Sequence, residues 1–257
     1  MIVNRREFVR FASGSIVAGS LASLASVLNA NSPLRSQIRA IAFDGFVIFD
    51  PKTVFALADE LFPEKGSALS DEWRTRQFEY TWLRVASQHY ADFWQVTQDA
   101  LVFAIKKLNL ELTAAKREKL MNAYLTLKAW PEVLPALTTL KKSGYRLALL
   151  SNLTPKMLDG CIRSAEFEGM FEQVLSTDQA KTYKPDPRAY QLGTDVLKLR
   201  REEILFVAFA GWDVAGAKAF GYPTFWVNRL KLPVEELGEV PAGRGSDLSG
   251  LVGFLAQ

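Results

Sequence analysis

The chain has 257 residues, 49% of them hydrophobic and 23% charged, which suits one large domain or a core with a smaller cap. The formal net charge of +3 counts Arg5, Arg6 and Arg10 of an atypical N-terminal stretch; no basic patch asks for nucleic acid, so none is expected as a partner. A single cysteine and a single histidine exclude an intramolecular disulfide and make any Ser-His-Asp triad or multi-histidine metal site depend on His89.

The N-terminus differs from the rest. Asn4-Arg5-Arg6-Glu7-Phe8-Val9-Arg10 precedes a weakly apolar Ala/Ser/Gly/Val/Leu stretch reaching about Ala30. The Arg-Arg pair, the large apolar residue two positions on and the modest apolar run resemble a twin-arginine export signal over residues 1–30. Ser23-Leu24-Ala25 and Leu28-Asn29-Ala30 are candidate cleavage sites, and Asn31-Ser32-Pro33 reads as a linker. The stretch is short for a membrane anchor. The expectation is a periplasmic protein with the twin-arginine export machinery as a partner, and a cytoplasmic one otherwise.

From residue 37 strand-like and helix-like segments alternate. Ile38–Phe43, Arg146–Leu150, Gln173–Leu175, Ile204–Phe209 and Thr224–Val227 read as strands. Pro131–Lys142, Pro155–Ala165, Arg188–Leu197 and Val214–Phe220 read as helices, the last stopped by Gly221. Such alternation predicts an α/β fold with a parallel sheet and helices on both faces. The interval from about Thr53 to Leu127 is helical by period with no strand candidate, Ser70-Asp71 capping Glu72–Gln88 and Thr113 capping Ala114–Leu125. A four-helix cap over 53–127, inserted after the first strand into a core of 33–52 and 128–257, is the simple organisation. Cys161, in a helical run, reads as a packed thiol, and His89 as a surface or cap histidine.

Polar residues just after each strand converge in such a topology. They are Asp44; Ser151 and Asn152; Lys184 of Tyr183-Lys184-Pro185-Asp186-Pro187; and Asp213 of Gly211-Trp212-Asp213. Each has a bland alternative: Asp44 a turn, Ser151-Asn152 a helix start, Lys184 a solvated loop, Asp213 a cap for Val214–Phe220. Together they make a compact set of two carboxylates, a hydroxyl, an amide and an ammonium. Phosphoryl transfer on such an aspartate needs a second carboxylate two residues later as general acid, and that place holds Phe46. An aspartate nucleophile for a small, partly apolar, non-phosphorylated substrate is indicated.

On these residues the chain resembles the haloacid dehalogenase superfamily, and its type II 2-haloacid dehalogenase branch, from about Ile38 to Arg229. Phe43-Asp44, Leu150-Ser151-Asn152, Tyr183-Lys184-Pro185-Asp186 and Trp212-Asp213 with Gly216-Ala217 match its four motifs, and Trp73-Arg74 through Trp82-Leu83-Arg84 is close to the branch's cap signature. The resemblance implies a Rossmann-like core, a helical cap, and hydrolysis of short 2-haloalkanoic acids to 2-hydroxy acids through an ester on Asp44. It implies that Lys184 orients Asp44, and that Arg74 and Asn152 receive the halide. Ser151 would bind the substrate carboxylate, Tyr190 support the lysine, and Asp213 activate water. Phe46, Phe93 and Trp212 would form an apolar wall.

Three positions depart from the family pattern. The stretch from Asp44 to Asp50 is one residue short and lacks a Gly-Thr pair, and Ala208 and Ala210 stand where Ser and Asn are usual. No cofactor is expected, since there is no G-x-G-x-x-G, P-loop or Cys/His cluster. No metal is expected either, since Asp213 is the one carboxylate of the fourth motif. The partners expected are a small-molecule haloacid, the export machinery and a second copy of the chain as a homodimer. A magnesium phosphatase and a binding-only relative are the alternatives.

Overall fold

The computed structural model describes residues 34–256; the export-signal segment 1–30 lies outside the described residues. Contacts divide the chain after Ser36, and everything from Gln37 onward packs as one unit. The first strand, β1 (Ala40–Phe43), is wholly buried. A single helical turn, α1 (Gly45–Ile48), and a two-residue strand, β2 (Phe49–Asp50), follow it. The chain then leaves the sheet for four helices: α2 (Lys52–Leu61), α3 (Gly66–Ala86), α4 (Phe93–Lys107) and α5 (Ala114–Ala123). It returns through β3 (Lys128–Ala129), which pairs antiparallel with β2, Phe49 opposite Ala129.

After the return come α6 (Val133–Lys142), β4 (Arg146–Ser151), α7 (Pro155–Ser164), β5 (Gln173–Ser176), α8 (Pro187–Leu197), β6 (Ile204–Ala208) and α9 (Gly211–Phe220). Strands β7 (Thr224–Val227) and β8 (Gly243–Gly245) and helix α10 (Leu248–Ala256) complete the described chain. The main sheet runs β5-β4-β1-β6-β7-β8, with every pairing parallel. The expected α/β architecture is observed, and its chain order reverses between β1 and β6. A reversal point in an open parallel sheet leaves a crevice at the carboxyl ends of its strands. Phe43 is opposite Leu149 on one side and Val207 on the other, so the loops after β1, β4 and β6 open at one level.

Several boundaries differ from the sequence expectation. Helix α3 starts at Gly66, so Ser70 and Asp71 lie inside it and cap nothing. The cause is tertiary: a Cβ on Gly66 would come within 2.3 Å of the Asp59 backbone, so α2 and α3 turn on each other there and the helix starts early. Thr113 does cap its helix, accepting from the Lys116 N–H. Helix α9 starts three residues before the expected Val214, at Gly211, which puts Asp213 in its first turn rather than at its cap. The β2–β3 pair and β8 are additions the pattern did not announce, since two or three residues are too few to show a period. Cys161 is buried, its thiol donating to the Tyr124 carbonyl, and burial pushes its pKa up to about 11. His89 is exposed and held by the Ser87 carbonyl.

Candidate active site

Asp44 ends β1 and begins α1. Its backbone N–H donates to the Val207 carbonyl of the neighbouring strand, and its Oδ2 accepts from Phe46 N–H at 3.0 Å. The other oxygen, Oδ1, accepts from Lys184 Nζ at 2.7 Å. Lys184 is 1% exposed and also donates to Asp213 Oδ2 at 2.6 Å. Its ammonium lies 4.9 Å from the centre of the Phe206 ring. A cation is thus fixed between two carboxylates by the fold itself. Removing one member of such a buried set leaves charge without a partner, at roughly 3–5 kcal/mol.

Burial alone would lower the Lys184 pKa, but the carboxylates of Asp213 and Asp44 outweigh it and hold it above the usual lysine range. Asp213 is raised as well, here against its charged form: burial, opposed by Lys184 and reinforced by the Asp44 charge, pushes it up to about 6. The two shifts are compatible, because one ammonium is shared by two carboxylates and the deeper one bears the larger desolvation penalty. Tyr190 donates its hydroxyl to Asp213 Oδ1 at 2.7 Å. It thus lies on the lysine side of the site, bonded to the carboxylate that shares the Lys184 ammonium. Gly216 permits this approach, since a Cβ there would meet the Tyr190 hydroxyl at 2.6 Å.

Asn152 Oδ1 accepts from the Lys184 backbone N–H at 3.0 Å and from Thr177 Oγ1 at 3.2 Å. With the carbonyl engaged by protein donors, the amide nitrogen is what Asn152 offers to the cavity beside it. Ser151 Oγ accepts from Leu153 N–H, and a Cβ on Gly45 would come within 2.6 Å of it, so the absence of a side chain at 45 brings Ser151 against the loop after Asp44. Thr177 was not foreseen, although its place directly after β5 follows the strand-exit rule used for the others.

A small cavity of about 20 Å³ is lined by Asp44, Phe46, Phe78, Ser151, Asn152, Phe209, Ala210, Trp212 and Asp213. Beside it lies a larger cavity of about 390 Å³ whose walls include Phe46, Phe78, Phe209, Ala210 and Trp212 as well. Arg74 is exposed and lines the larger cavity, not the small one beside Asp44 where a halide donor is expected. Phe93 is a second correction: it opens α4, packs 6.1 Å from the Tyr183 ring and lines neither cavity. Phe78, one helical turn along from Arg74, takes the wall position instead, with its ring 5.6 Å from Trp212. Of the two alanines, Ala208 lies in the core with Phe206 and Tyr190, whereas Ala210 reaches the site. Phe209 lies beside it, edge-on to Phe46 at 6.3 Å.

The shortened loop is held from outside. Trp130, next to β3, donates its Nε1–H to the Phe46 carbonyl at 3.1 Å and its backbone N–H to the Ile48 carbonyl. Arg229 donates to the Val47 carbonyl at 3.1 Å, pairs with Glu132 and lies 4.1 Å from the Trp130 ring centre. Among the described residues no group of three or more His, Cys, Asp or Glu side chains is placed to hold a metal.

The model of the haloacid dehalogenase-like hydrolase family matches residues 38–221. The (S)-2-haloacid dehalogenase of Pseudomonas sp. strain YL is 42% identical over 216 residues, 84% of this chain and 93% of that protein. The crystal structure of the L-2-haloacid dehalogenase RSc1362 superposes with a TM-score of 0.84 at 43% identity, covering 86% of this chain and 99% of that one. The L-2-haloacid dehalogenase of Xanthobacter autotrophicus with chloropropionic acid covalently bound superposes with a TM-score of 0.78 at 30% identity, covering 85% and 98%.

Proposed function

The chain belongs to the haloacid dehalogenase-like hydrolase family, and from that premise we propose that it releases halide from 2-haloalkanoic acids to give 2-hydroxy acids. The observation that carries this reading is the Asp44–Lys184–Asp213 relay at the edge of an aromatic-walled cavity, with Phe46 where a phosphatase needs an acid. A carboxylate oxygen of Asp44 attacks the halogen-bearing carbon, the carbon–halogen bond breaks, and its electron pair leaves on the halide. The Asn152 amide receives the halide and Ser151 the substrate carboxylate; Arg74 joins as a cationic donor when substrate is bound. Desolvation by the aromatic walls strengthens these contacts.

Water then attacks the ester carbonyl carbon. Asp213 takes its proton, the bond between the Asp44 carbonyl carbon and the substrate oxygen breaks, and the departing alkoxide takes that proton back to leave as the 2-hydroxy acid, while the regenerated Asp44 carboxyl releases a proton to solvent. Lys184 and the Phe46 N–H supply fixed positive ends to the carboxyl group throughout. No divalent cation is needed, because an ammonium already lies between the two carboxylates. Halide release from L-2-chloropropionate tests the reading. Asp44→Asn abolishes it. Asp213→Asn gives one halide per site and a covalent mass increment. EDTA leaves the wild type unchanged. No release above the Asp44→Asn background across a haloacid panel would sink the proposal.

The N-terminal Arg5-Arg6 segment supports export as part of the same proposal, with the folded enzyme acting in the periplasm and pairing as a homodimer. Cell fractionation checks the placement: Arg5→Lys with Arg6→Lys leaves the protein in the cytoplasm. A wild-type protein found entirely in the cytoplasm with its N-terminus intact would remove it, and a single sedimenting species of monomer mass would remove the dimer.

A further inference from the structure

We propose that the larger cavity is a tail subsite, and that the preferred substrates are 2-haloacids with a long alkyl or arylalkyl chain of six or more carbons. The inference rests on the dehalogenation reading and extends it to the substrate class. A water molecule needs roughly 10–15 Å³ of such space, so the 20 Å³ beside Asp44 holds about one. A haloacid with a carboxylate, a halogen and a side chain must extend beyond it. The space that continues from it is the 390 Å³ cavity, whose walls share Phe46, Phe78, Phe209, Ala210 and Trp212 with the small one. This is the size range of sites for ligands much larger than a three-carbon acid.

Most of its wall is apolar. Phe55 and Trp130 line it beyond the shared aromatic residues, and Leu230 and Leu232, both about half exposed, stand on its wall. Lys52, Arg74, Gln77, Asn228 and Glu235 add polar groups to the lining. At the junction Ala210 has only a methyl group, so the passage from the nucleophile outward is not blocked by a side chain at that position. Phe209 and Phe46 offer ring surface on the same passage, edge to face. An apolar tail threading past Ala210 to Phe55 and Leu230 would exchange water for apolar wall, whereas a methyl group would leave this space to water.

Burying each methylene improves the specificity constant about threefold to fourfold. The experiment compares kcat/KM for halide release from 2-bromopropionate, 2-bromohexanoate, 2-bromooctanoate and 2-bromo-3-phenylpropionate. The expected result is a rise of at least tenfold from 2-bromopropionate to 2-bromooctanoate, carried mainly by KM. Leu230→Asp and Phe55→Trp, both outside the reacting groups, then lower the 2-bromooctanoate value at least tenfold and leave 2-bromopropionate within about twofold. Constant or falling kcat/KM with chain length overturns the proposal, as does an equal effect of both variants on all substrates. Calorimetric binding of octanoate separates this from failure of the chemistry. If no haloacid is turned over, octanoate binding weakened by Leu230→Asp still supports the subsite, and absence of octanoate binding to the wild type rejects it.

Discussion

At the scale of single residues, the site turns on how one ammonium is divided between two carboxylates. Asp213 is the deeper of the two and burial pushes it up to about 6. In the proposed role of base it must be ionised, so kcat for halide release is flat above neutrality and falls tenfold per unit below an acid limb that lies under about 6, because the Asp44 charge no longer raises Asp213 once the ester has formed. Lys184, held above its usual range, stays protonated throughout. Tyr190 stabilises the ionised Asp213 through its hydroxyl, so Tyr190→Phe moves the acid limb upward; a limb unmoved by that change would separate it from Asp213. Asp44, Asn152 and Asp213 were legible because each closely follows the end of an apolar run, and Lys184 because it lies in the loop after the next strand. The Tyr190–Asp213 bond was not, since it depends on the close approach that Gly216 allows between two helices. Arg74 and Phe93 were placed by resemblance, and the cap's own packing turns one onto the larger cavity and buries the other against Tyr183.

At the scale of elements, the nucleophile loop is the least conventional piece. Its turn α1 is one residue short by the family pattern, and its carbonyls are held by Trp130 and Arg229. Nothing in the sequence pattern joins Arg229 to Glu132, which lie 97 positions apart. Trp130→Phe keeps the ring and removes one donor. The expected effect is a fall in kcat of about fivefold, from loss of roughly 1 kcal/mol of loop restraint, with KM little changed. Arg229→Met strips both the Val47 contact and the Glu132 partner and lowers stability by on the order of 1–3 kcal/mol in thermal denaturation. If kcat survives both changes, the loop holds itself. The strands were readable from β-branched and apolar runs, whereas β2 and β3 are too short to carry any period.

At the scale of the whole molecule, the helical insertion closes on the core through aromatic contacts. The Trp212 ring meets Phe78 and Trp82 of α3, and Tyr183 stacks on Tyr90 at 5.3 Å while its hydroxyl bonds the Ala91 carbonyl. Tyr90 in turn donates to Asp178 at 2.7 Å. Tyr90→Phe loosens this side of the closure and raises KM for a haloacid by about threefold to tenfold, the weight of one hydrogen bond, leaving kcat nearly unchanged; steady-state halide release reads both. The insertion itself was visible as a long helical interval, but which of its faces meets the core was not, because aromatic residues recur on several. The β2–β3 stem gives this architecture a further property. The outgoing strand continues directly from the nucleophile turn, and Trp130 fastens the returning one to the same turn. The two ends of the insertion are therefore pinned together independently of what lies between them. Since doubling the length of a closed segment costs only about 0.6 kcal/mol, such a stem makes the insertion modular. Helices can be lengthened, shortened or exchanged over evolutionary time, changing what is admitted to the crevice, while Asp44 keeps its place.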